Sequence, residues 1–264
     1  MKQLEKTFPN REALIAYVAN LAPWAAGPAS VIAGGHEAAQ QTLQQVDALK
    51  YGTTRNFGDG KVTRLSPYIH HGVLSLNEVR NAALHTCSQP EQISKFIQEL
   101  AWRDFWQRVA HQHPDWIWHD IEPYKTGFKA ADYAETLPDD IATGTTGVAC
   151  IDAFIHDLIQ TGYVHNHARM YLASYVVHFR RIKWQAGAQW FLEHLLDGDE
   201  ASNNLSWQWV ASTFSNKPYI FNLENVAKYF GTLVDTTPEN NHVLNASYET
   251  LSKQLFPQLG GHHG

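Results

Sequence analysis

The stretch that most constrains this chain is residues 197–209, with the sequence Asp-Gly-Asp-Glu-Ala-Ser-Asn-Asn-Leu-Ser-Trp-Gln-Trp. It holds two aspartates, two asparagines and two indoles, and apolar helical runs flank it at 190–196 and 207–214. The pattern predicts a polar turn between two buried helices. Because an unpartnered buried donor or acceptor is costly, we expect a large polar ligand against this turn.

Helical periodicity dominates the rest of the chain and predicts an all-α fold. Apolar residues share one face in the predicted helices 11–21 and 36–51. The other predicted helices fall at 75–87, 92–113, 151–161, 165–182, 184–196, 206–214, 223–230 and 248–255, with a short helix starting at Ser66-Pro67. No convincing strand or repeat is present. We divide the chain into an N-terminal helical extension (1–33), a main helical domain (34–232) and a C-terminal tail with a short helix (233–264).

Length and composition indicate a protein of the cytoplasm, which we expect to be monomeric. The 264 residues are 44% hydrophobic, enough for a sizeable core. The longest apolar runs fall well short of the roughly 20 residues that span a bilayer, and residues 1–10 are too polar for a signal peptide. Cys87 and Cys150 form no CxxC pair, which is typical of thiols in a reducing compartment.

Charge and histidine content argue against two further classes of site. The net charge of −6 gives no global attraction to nucleic acid, so any DNA affinity must come from a local basic face. His165 and His167 lie near a helix start without a further ligand at a usual spacing, and His262-His263 falls in a terminal tail. We therefore expect no metal site.

Two short segments have the side chains for a nucleotide ligand. Spacings of three and four place Glu99, Trp102, Arg103 and Trp106 on one helix face. An ordinary Glu99–Arg103 pair explains the charges but not the indoles, which could stack on a base. Residues 61–67 join a loop to a helix start, where hydroxyls and backbone N–H groups could hold a phosphate. Neither a GxGxxG nor a Walker sequence occurs.

Together these segments resemble the FAD-binding domain of the photolyase/cryptochrome family. The matching pieces occur in order at 35–39, Tyr51, 55–56, 63–68, 99–105, 165–170 and 197–209, and the match covers about 34–222. The resemblance implies an all-helical domain that holds FAD in a folded-up shape, with the adenine close to the flavin ring.

The resemblance also implies which residues contact FAD. Those at the diphosphate are Tyr51, Thr63, Arg64, Leu65, Ser66 and Arg103; those beside the flavin are Asn166, the ion pair Arg169–Asp197, Asp199 and Asn203. Asn203 matches the position that faces flavin N5. A carboxamide there is the photolyase choice, whereas plant cryptochromes typically carry an aspartate.

A second group of positions matches the pocket that receives a flipped-out cyclobutane pyrimidine dimer. It comprises Glu99, Trp102, Asn166, Met170 and Trp209. Asn166 and Met170 stand where the (6-4) branch carries two histidines, which favours dimer repair. The implied reaction is light-driven: excited reduced FAD donates an electron to the dimer, the ring splits, and the electron returns. Glu99 would hydrogen-bond the lesion as negative charge develops on it.

The chain departs from the family pattern in its electron supply and accessory cofactors. Trp207 and Trp184 match the first two electron-transfer tryptophans, but the third position falls near Ala131. The open alternatives are Tyr124, Tyr133, Trp116, Trp118 or an external reductant reaching Trp184. We expect no antenna pigment, since only about thirty residues precede the match, and no iron–sulfur cluster, since four cysteines are needed.

The expected partner is DNA that contains pyrimidine dimers. Arg55, His167 and Lys217 are the predicted contacts, within a wider basic rim formed by Arg64, Arg103, Arg180, Arg181 and Lys183. We expect weak, steeply salt-dependent duplex binding and better binding of single-stranded or loosened DNA. The alternatives are a cryptochrome-like blue-light photoreceptor without repair activity and a helical domain that has lost FAD.

Overall fold

The computed structural model describes residues 3–23 and 29–261. Within them the α-helices are α1 Arg11–Leu21, α2 His36–Gln44, α3 Ala48–Thr54, α4 Ser66–His70, α5 Leu76–Leu84, α6 Ser94–Gln112, α7 Asp139–Thr143, α8 Ala149–Thr161, α9 Asn166–Ser174, α10 Trp184–His194, α11 Glu200–Ala211, α12 Leu223–Phe230 and α13 Tyr248–Leu255.

Short 3₁₀ turns and one π-helical segment complete the secondary structure. The 3₁₀ turns lie at Pro90–Ile93, Pro114–Ile117, Ala130–Asp132, His242–Leu244 and Pro257–Gly261, and the π segment is Tyr175–Phe179. The described residues contain no strand, only an isolated bridge between Ala134 and Ile182. The predicted all-α class is confirmed. Across the same residues, none of the helices has both the length and the apolar character needed to cross a bilayer.

Helix caps explain where the predicted boundaries were wrong. The predicted helix 36–51 is two helices, because the Asp47 carboxylate accepts the N–H of Lys50 and starts α3. The helix predicted at 206 already begins at Glu200, because the Asp199 carboxylate accepts the N–H of Ser202. Most of the 197–209 stretch is therefore helix, and the turn is confined to the residues between α10 and α11.

The main core lies among α8, α9, the π segment, α10, α11 and α12. The π segment continues α9 directly, and residues 171–178 are buried without interruption. Large aromatic side chains fill the centre, among them Tyr171, Trp184, Phe191 and Trp207. Helix α9 and the π segment therefore run through the middle of the molecule, and α9 packs against α11.

Gly187 sets the separation between α10 and α11. A β-carbon at this position would lie 2.3 Å from the six-membered ring of Trp207. The Trp207 indole, which is 2% exposed, therefore occupies the place of the missing side chain. This close contact lets α11 present the residues on its opposite side to α6 and α9.

The N-terminal and C-terminal parts differ in how they meet the core. Helix α1 has no buried residue, and its apolar side chains Leu14 and Val18 are 40% and 50% exposed. By contrast, Leu251 and Phe256, in and just after α13, are buried. The segment predicted as a tail therefore packs against the rest of the protein as far as it is described. His262 and His263 lie outside the described residues.

We predict that stability falls on mild acidification because two buried histidines resist protonation. Burial lowers the pKa of His178 to about 4 and that of His165, which also lies beside His167, to about 4, from an ordinary value of 6.5. Between pH 6.5 and 4 the unfolded chain binds more protons, so the free energy of unfolding should decrease as pH decreases. Lowered carboxylate pKa values act at lower pH, below about 3.8.

Urea unfolding at several pH values measures this dependence. The His178→Phe variant should show a flatter pH dependence between 6.5 and 4, whatever its overall stability. An unchanged slope would show that His178 takes up its proton in the native state.

Candidate functional site

A cavity of about 660 Å³ opens between α6, α9, α11 and α12. This volume lies within the range of small-molecule and cofactor sites. Thirteen of the predicted site residues line it: Arg55, Glu99, Trp102, Arg103, Asn166, His167, Arg169, Met170, Asp197, Asp199, Asn203, Trp207 and Trp209. The fold thus collects residues from four separate stretches of the sequence around one space.

An ion pair between Arg169 and Asp197 joins α9 to the turn before α11. The two guanidinium NH₂ nitrogens donate to the two carboxylate oxygens at 3.3 and 2.9 Å, and Arg169 Nε donates to the Val164 carbonyl. Burial alone would raise the pKa of Asp197, but Arg169, the Ser66 hydroxyl and Arg103 hold it below its usual value. The carboxylate therefore stays charged although it is 5% exposed.

Asp199 is a second buried carboxylate, which caps α11 and forms an ion pair. Its Oδ1 accepts the N–H of Ser202 at the start of α11 and an N–H of Gln107 at 2.8 Å. Its Oδ2 forms an ion pair with Arg103 and lies 3.8 Å from His70 Nδ1. The Ser202 hydroxyl, also at the cavity wall, is buried and has no hydrogen-bond partner. A buried polar atom without a partner at a cavity wall indicates a ligand contact.

The Asn203 side chain is held by its amide nitrogen. Nδ2 donates to the Ala188 carbonyl at 3.0 Å and to Asn204 Oδ1 at 2.9 Å. Both donors are used within the protein, so the carbonyl oxygen is left as the acceptor of this cavity-lining side chain. It can accept a hydrogen bond from a ligand N–H group.

Aromatic side chains form the exposed wall of the cavity. Trp102 and Trp209 are 43% and 41% exposed. Because tryptophan is highly buried on average, two indoles this exposed at one cavity are unusual. Trp102 stacks on Trp106 with ring centroids 5.4 Å apart. Glu99 lies one turn before Trp102 in α6. Its carboxylate is 2.8 Å from Lys95 and 3.4 Å from Arg55. This mouth can hold a flat, polar-edged group.

Seven predicted residues lie outside the cavity wall. Leu65 is buried in the core formed by α2–α6, and the Arg64 guanidinium rests on the Tyr163 ring at 5.2 Å. The complete set is Tyr51, Thr63, Arg64, Leu65, Ser66, Trp184 and Lys217. Ser66 contacts the site by a hydrogen bond to Asp197. Tyr51 lies beside Arg55 and Glu99; burial, and then Glu99, raise the pKa of Tyr51 to about 12, whereas Arg55 opposes the shift. Their roles at a diphosphate or on DNA remain predictions.

Several wall residues were not predicted from the sequence. Three tyrosines and an asparagine from the C-terminal part line the cavity: Tyr219, Asn225, Tyr229 and Tyr248. No local pattern marks them, because they meet the site only through the packing of α12 and α13. Lys95 had a detectable signal, since it lies four residues before the predicted residue Glu99 in α6.

The predicted basic rim is largely neutralised within the protein. Each of four rim cations has a carboxylate partner: Arg55 with Glu99, Arg103 with Asp199, Arg180 with Asp140 and Lys183 with Glu135. Burial lowers the pKa of His167, so it is neutral at physiological pH. The expected steep salt dependence of DNA binding therefore does not follow from this surface, and we expect a shallow one.

Comparison with known proteins identifies the family. The family model described as the FAD binding domain of DNA photolyase matches residues 96–237, just over half of the chain. This chain belongs to that family. A deoxyribodipyrimidine photo-lyase of Streptomyces griseus is 34% identical over 188 residues, which cover 68% of this chain and 39% of that protein. The chain thus spans less than half the length of this curated relative.

Solved structures of the same family agree with the fold. A bacterial class III photolyase from Agrobacterium tumefaciens superposes with a TM-score of 0.65 at 26% identity, covering 91% of this chain and 50% of that one. A cryptochrome of Synechocystis gives a TM-score of 0.66 at 25% identity, covering 86% and 52%. Both photolyases and cryptochromes therefore share this helical architecture.

The residues present fit FAD. The diphosphate needs N–H donors, and the paired guanidinium groups of Arg55, Arg103 and Arg169 line the cavity, each with more N–H groups than its carboxylate partner uses. The flavin ring needs hydrogen-bond partners at its polar edge, and the unpartnered Ser202 hydroxyl and the Asn203 carbonyl can provide them. The aromatic wall supplies the flat apolar surface.

We predict that Arg169→Leu lowers the free energy of unfolding of the flavin-free protein by about 3 kcal/mol, because Asp197 is left as an unpaired buried charge. FAD affinity should fall as well. Urea unfolding and fluorescence titration with FAD measure the two effects. As a control, Arg108→Leu removes an exposed pair with Asp104 and should change neither.

The double variant Arg169→Leu with Asp197→Leu separates the two roles of the pair. Replacing both charges should restore much of the stability but none of the FAD affinity. Recovery of both properties would show that the pair serves only the fold.

Proposed function

We propose that this protein binds FAD in the cavity and uses it to split cyclobutane pyrimidine dimers in DNA under light. Reduced FAD supplies the light-excited electron in this reaction. The observation that carries the proposal is the double character of the cavity: polar acceptors and guanidinium groups at its base, and exposed indoles with a carboxylate at its mouth. A flavin site alone would not need the exposed indoles.

The mouth residues would receive the damaged bases. Trp102 and Trp209 offer two half-exposed faces on which a flipped-out dimer can stack. Met170 is half-buried in the wall and can adapt to the bent shape of the dimer. Asn166 is exposed at the start of α9, where its amide can donate and accept at a pyrimidine edge.

The charged residues would fix the electrostatics of the site. Glu99 is positioned by Lys95 and Arg55 and can accept an N–H of the lesion. Asp197 and Asp199 carry their charges next to Arg169 and Arg103, so the base of the cavity presents paired charges of known orientation. Such preorganised dipoles need not reorganise while charge moves between ligand and lesion.

Light-dependent repair of a defined thymine dimer is the direct test. FAD-loaded, chemically reduced protein should remove the dimer from a single-stranded oligonucleotide under blue light and leave it intact in the dark. Absence of repair in the light from protein that demonstrably holds reduced FAD would overturn the proposal.

We predict that Glu99→Gln lowers the repair yield per absorbed photon by about tenfold, because a hydrogen bond to a charged group worth roughly 1.4 kcal/mol is lost as charge develops. Substrate binding and flavin content should change little. Repair by chemically reduced protein separates this effect from electron supply. An unchanged yield would place Glu99 outside the lesion pocket.

We further propose that single-stranded or loosened DNA is the better substrate. Most of the rim cations are already paired, so few phosphates can be neutralised, whereas the exposed indoles favour stacking on unpaired bases. Lys217 is the exposed rim cation that remains on the α11 side of the cavity.

Two variants distinguish stacking from charge. Trp102→Ala should weaken binding of a dimer-containing single strand by about 1–3 kcal/mol at every salt concentration. Lys217→Ala should mainly reduce the slope of log K against log salt by about 0.7. A strong preference for duplex DNA in the same titrations would contradict the proposal.

A second candidate function is a cryptochrome-like blue-light photoreceptor without repair. The neutralised rim favours it, since a signalling protein needs no DNA affinity. The thymine-dimer experiment decides between the two, because a photoreceptor would bind FAD and respond to light without removing the dimer.

A further inference from the structure

Three indoles mark a route from the cavity wall to the surface. Trp207 lines the cavity and lies against Gly187 of α10. Trp184 begins the same helix one turn earlier, on the same face, and is fully buried. The half-buried Trp118 lies beyond it, with ring centroids 6.4 Å apart and an interplanar angle of 12°. Parallel rings at this spacing are a stacked pair.

We propose that Trp118 is the surface-facing donor that passes electrons to Trp184 and from there to the flavin. This inference rests on the proposed flavin photochemistry. It assigns to this chain a residue distant in sequence from Ala131, the position at which the family resemblance would place the third indole. Ala131 is exposed in a 3₁₀ turn and has no aromatic ring.

Carboxylates accept the indole N–H groups of Trp184 and Trp118. Trp184 Nε1 donates to Asp120 at 2.6 Å, and Trp118 Nε1 donates to Glu200 at 2.6 Å. A negative charge at this distance stabilises a positive charge on the ring, so it makes each indole easier to oxidise. Glu200 is exposed and can pass a proton to solvent. Gln185 donates to Asp120 and to the Trp118 carbonyl, which ties the pair together.

The other aromatic candidates lack these features. Tyr124 and Tyr133 stack on each other at 4.3 Å, but both are buried, and the Tyr124 hydroxyl has no hydrogen-bond partner. Tyrosine loses its phenolic proton on oxidation, so Tyr124 has nowhere to release it. Trp116 stacks on His113 and contacts Phe214, on the side of the protein near Trp106, away from Trp184.

When bound in the cavity, oxidised FAD would supply the light-excited oxidant for this step. Trp207 would give up one electron and be refilled from Trp184, and Trp184 would be refilled from Trp118. Trp118 is thereby oxidised by one electron and releases its N1 proton to Glu200. An external thiolate then returns one electron to Trp118 and becomes a thiyl radical, two of which combine to a disulfide, and a proton from solvent restores the Trp118 N–H group. No bond between heavy atoms of the protein forms or breaks.

The Trp118→Phe variant of the full chain tests the assignment. In the FAD-loaded protein, light-driven reduction of the flavin by an external thiol should be largely lost, because the electron hole stays on buried Trp184 and recombines. The matched control Trp116→Phe should reduce its flavin at the wild-type rate. Dimer repair by chemically reduced Trp118→Phe protein should equal that of wild type.

Two further readouts do not depend on turnover. In the flavin-free protein, Trp118→Phe should abolish the near-ultraviolet circular dichroism that arises from the stacked Trp118–Trp184 pair, and Trp116→Phe should preserve it. In the loaded protein, Glu200→Gln should convert the long-lived tryptophan radical from its neutral to its cationic form in transient absorption. Loss of the dichroism together with wild-type photoreduction would overturn the electron-donor assignment.

The outcomes separate this inference from the proposed function. Slow photoreduction in Trp118→Phe with no dimer repair in any variant would support the electron route and contradict the repair function. Wild-type photoreduction in Trp118→Phe with normal repair would do the reverse.

Discussion

The structure depends on two ion pairs at the base of one cavity, each with a buried carboxylate. Arg169–Asp197 joins α9 to the turn before α11, and Arg103–Asp199 joins α6 to the start of α11. A buried ion pair is often no more stabilising than apolar residues of the same volume. Two buried carboxylates, each paired with an arginine at the cavity wall, are therefore better explained by a charged, polar ligand than by stability. The FAD-binding family to which the chain belongs supplies such a ligand.

The turn before α11 also leads into the residues proposed for cofactor binding, lesion binding and electron supply. Asp199 caps α11, and that helix then carries Asn203 and Trp207 one turn apart and Trp209 two residues further on. These side chains reach the base, the back wall and the mouth of the cavity respectively. Gly187 allows the helix to approach α10 closely enough for Trp207 to pack there. The Asp199 cap and Gly187 thus position, on one twelve-residue helix, the side chains proposed for three different roles.

Periodicity allowed the helical class to be predicted, and spacing within α6 grouped Glu99, Trp102 and Arg103 on one face. The other predicted residues of the cavity wall came mainly from the family resemblance, and together they make up about half of that wall. The prediction misplaced the start of α11, since a polar stretch resembles a turn until Asp199 is known to cap a helix. The C-terminal tyrosines, the pairing of the basic rim and the Trp118–Trp184 stack could not be predicted. Each arises from contacts between distant segments, for which no local pattern exists.

A crystal structure of the protein loaded with FAD tests the central claim most directly. We expect the diphosphate beside the guanidinium groups of the cavity and the flavin ring within reach of Asn203 and Asp199, with an open space between the ring and Trp102. FAD bound elsewhere on the surface, or a cavity filled by the protein's own side chains, would contradict this claim.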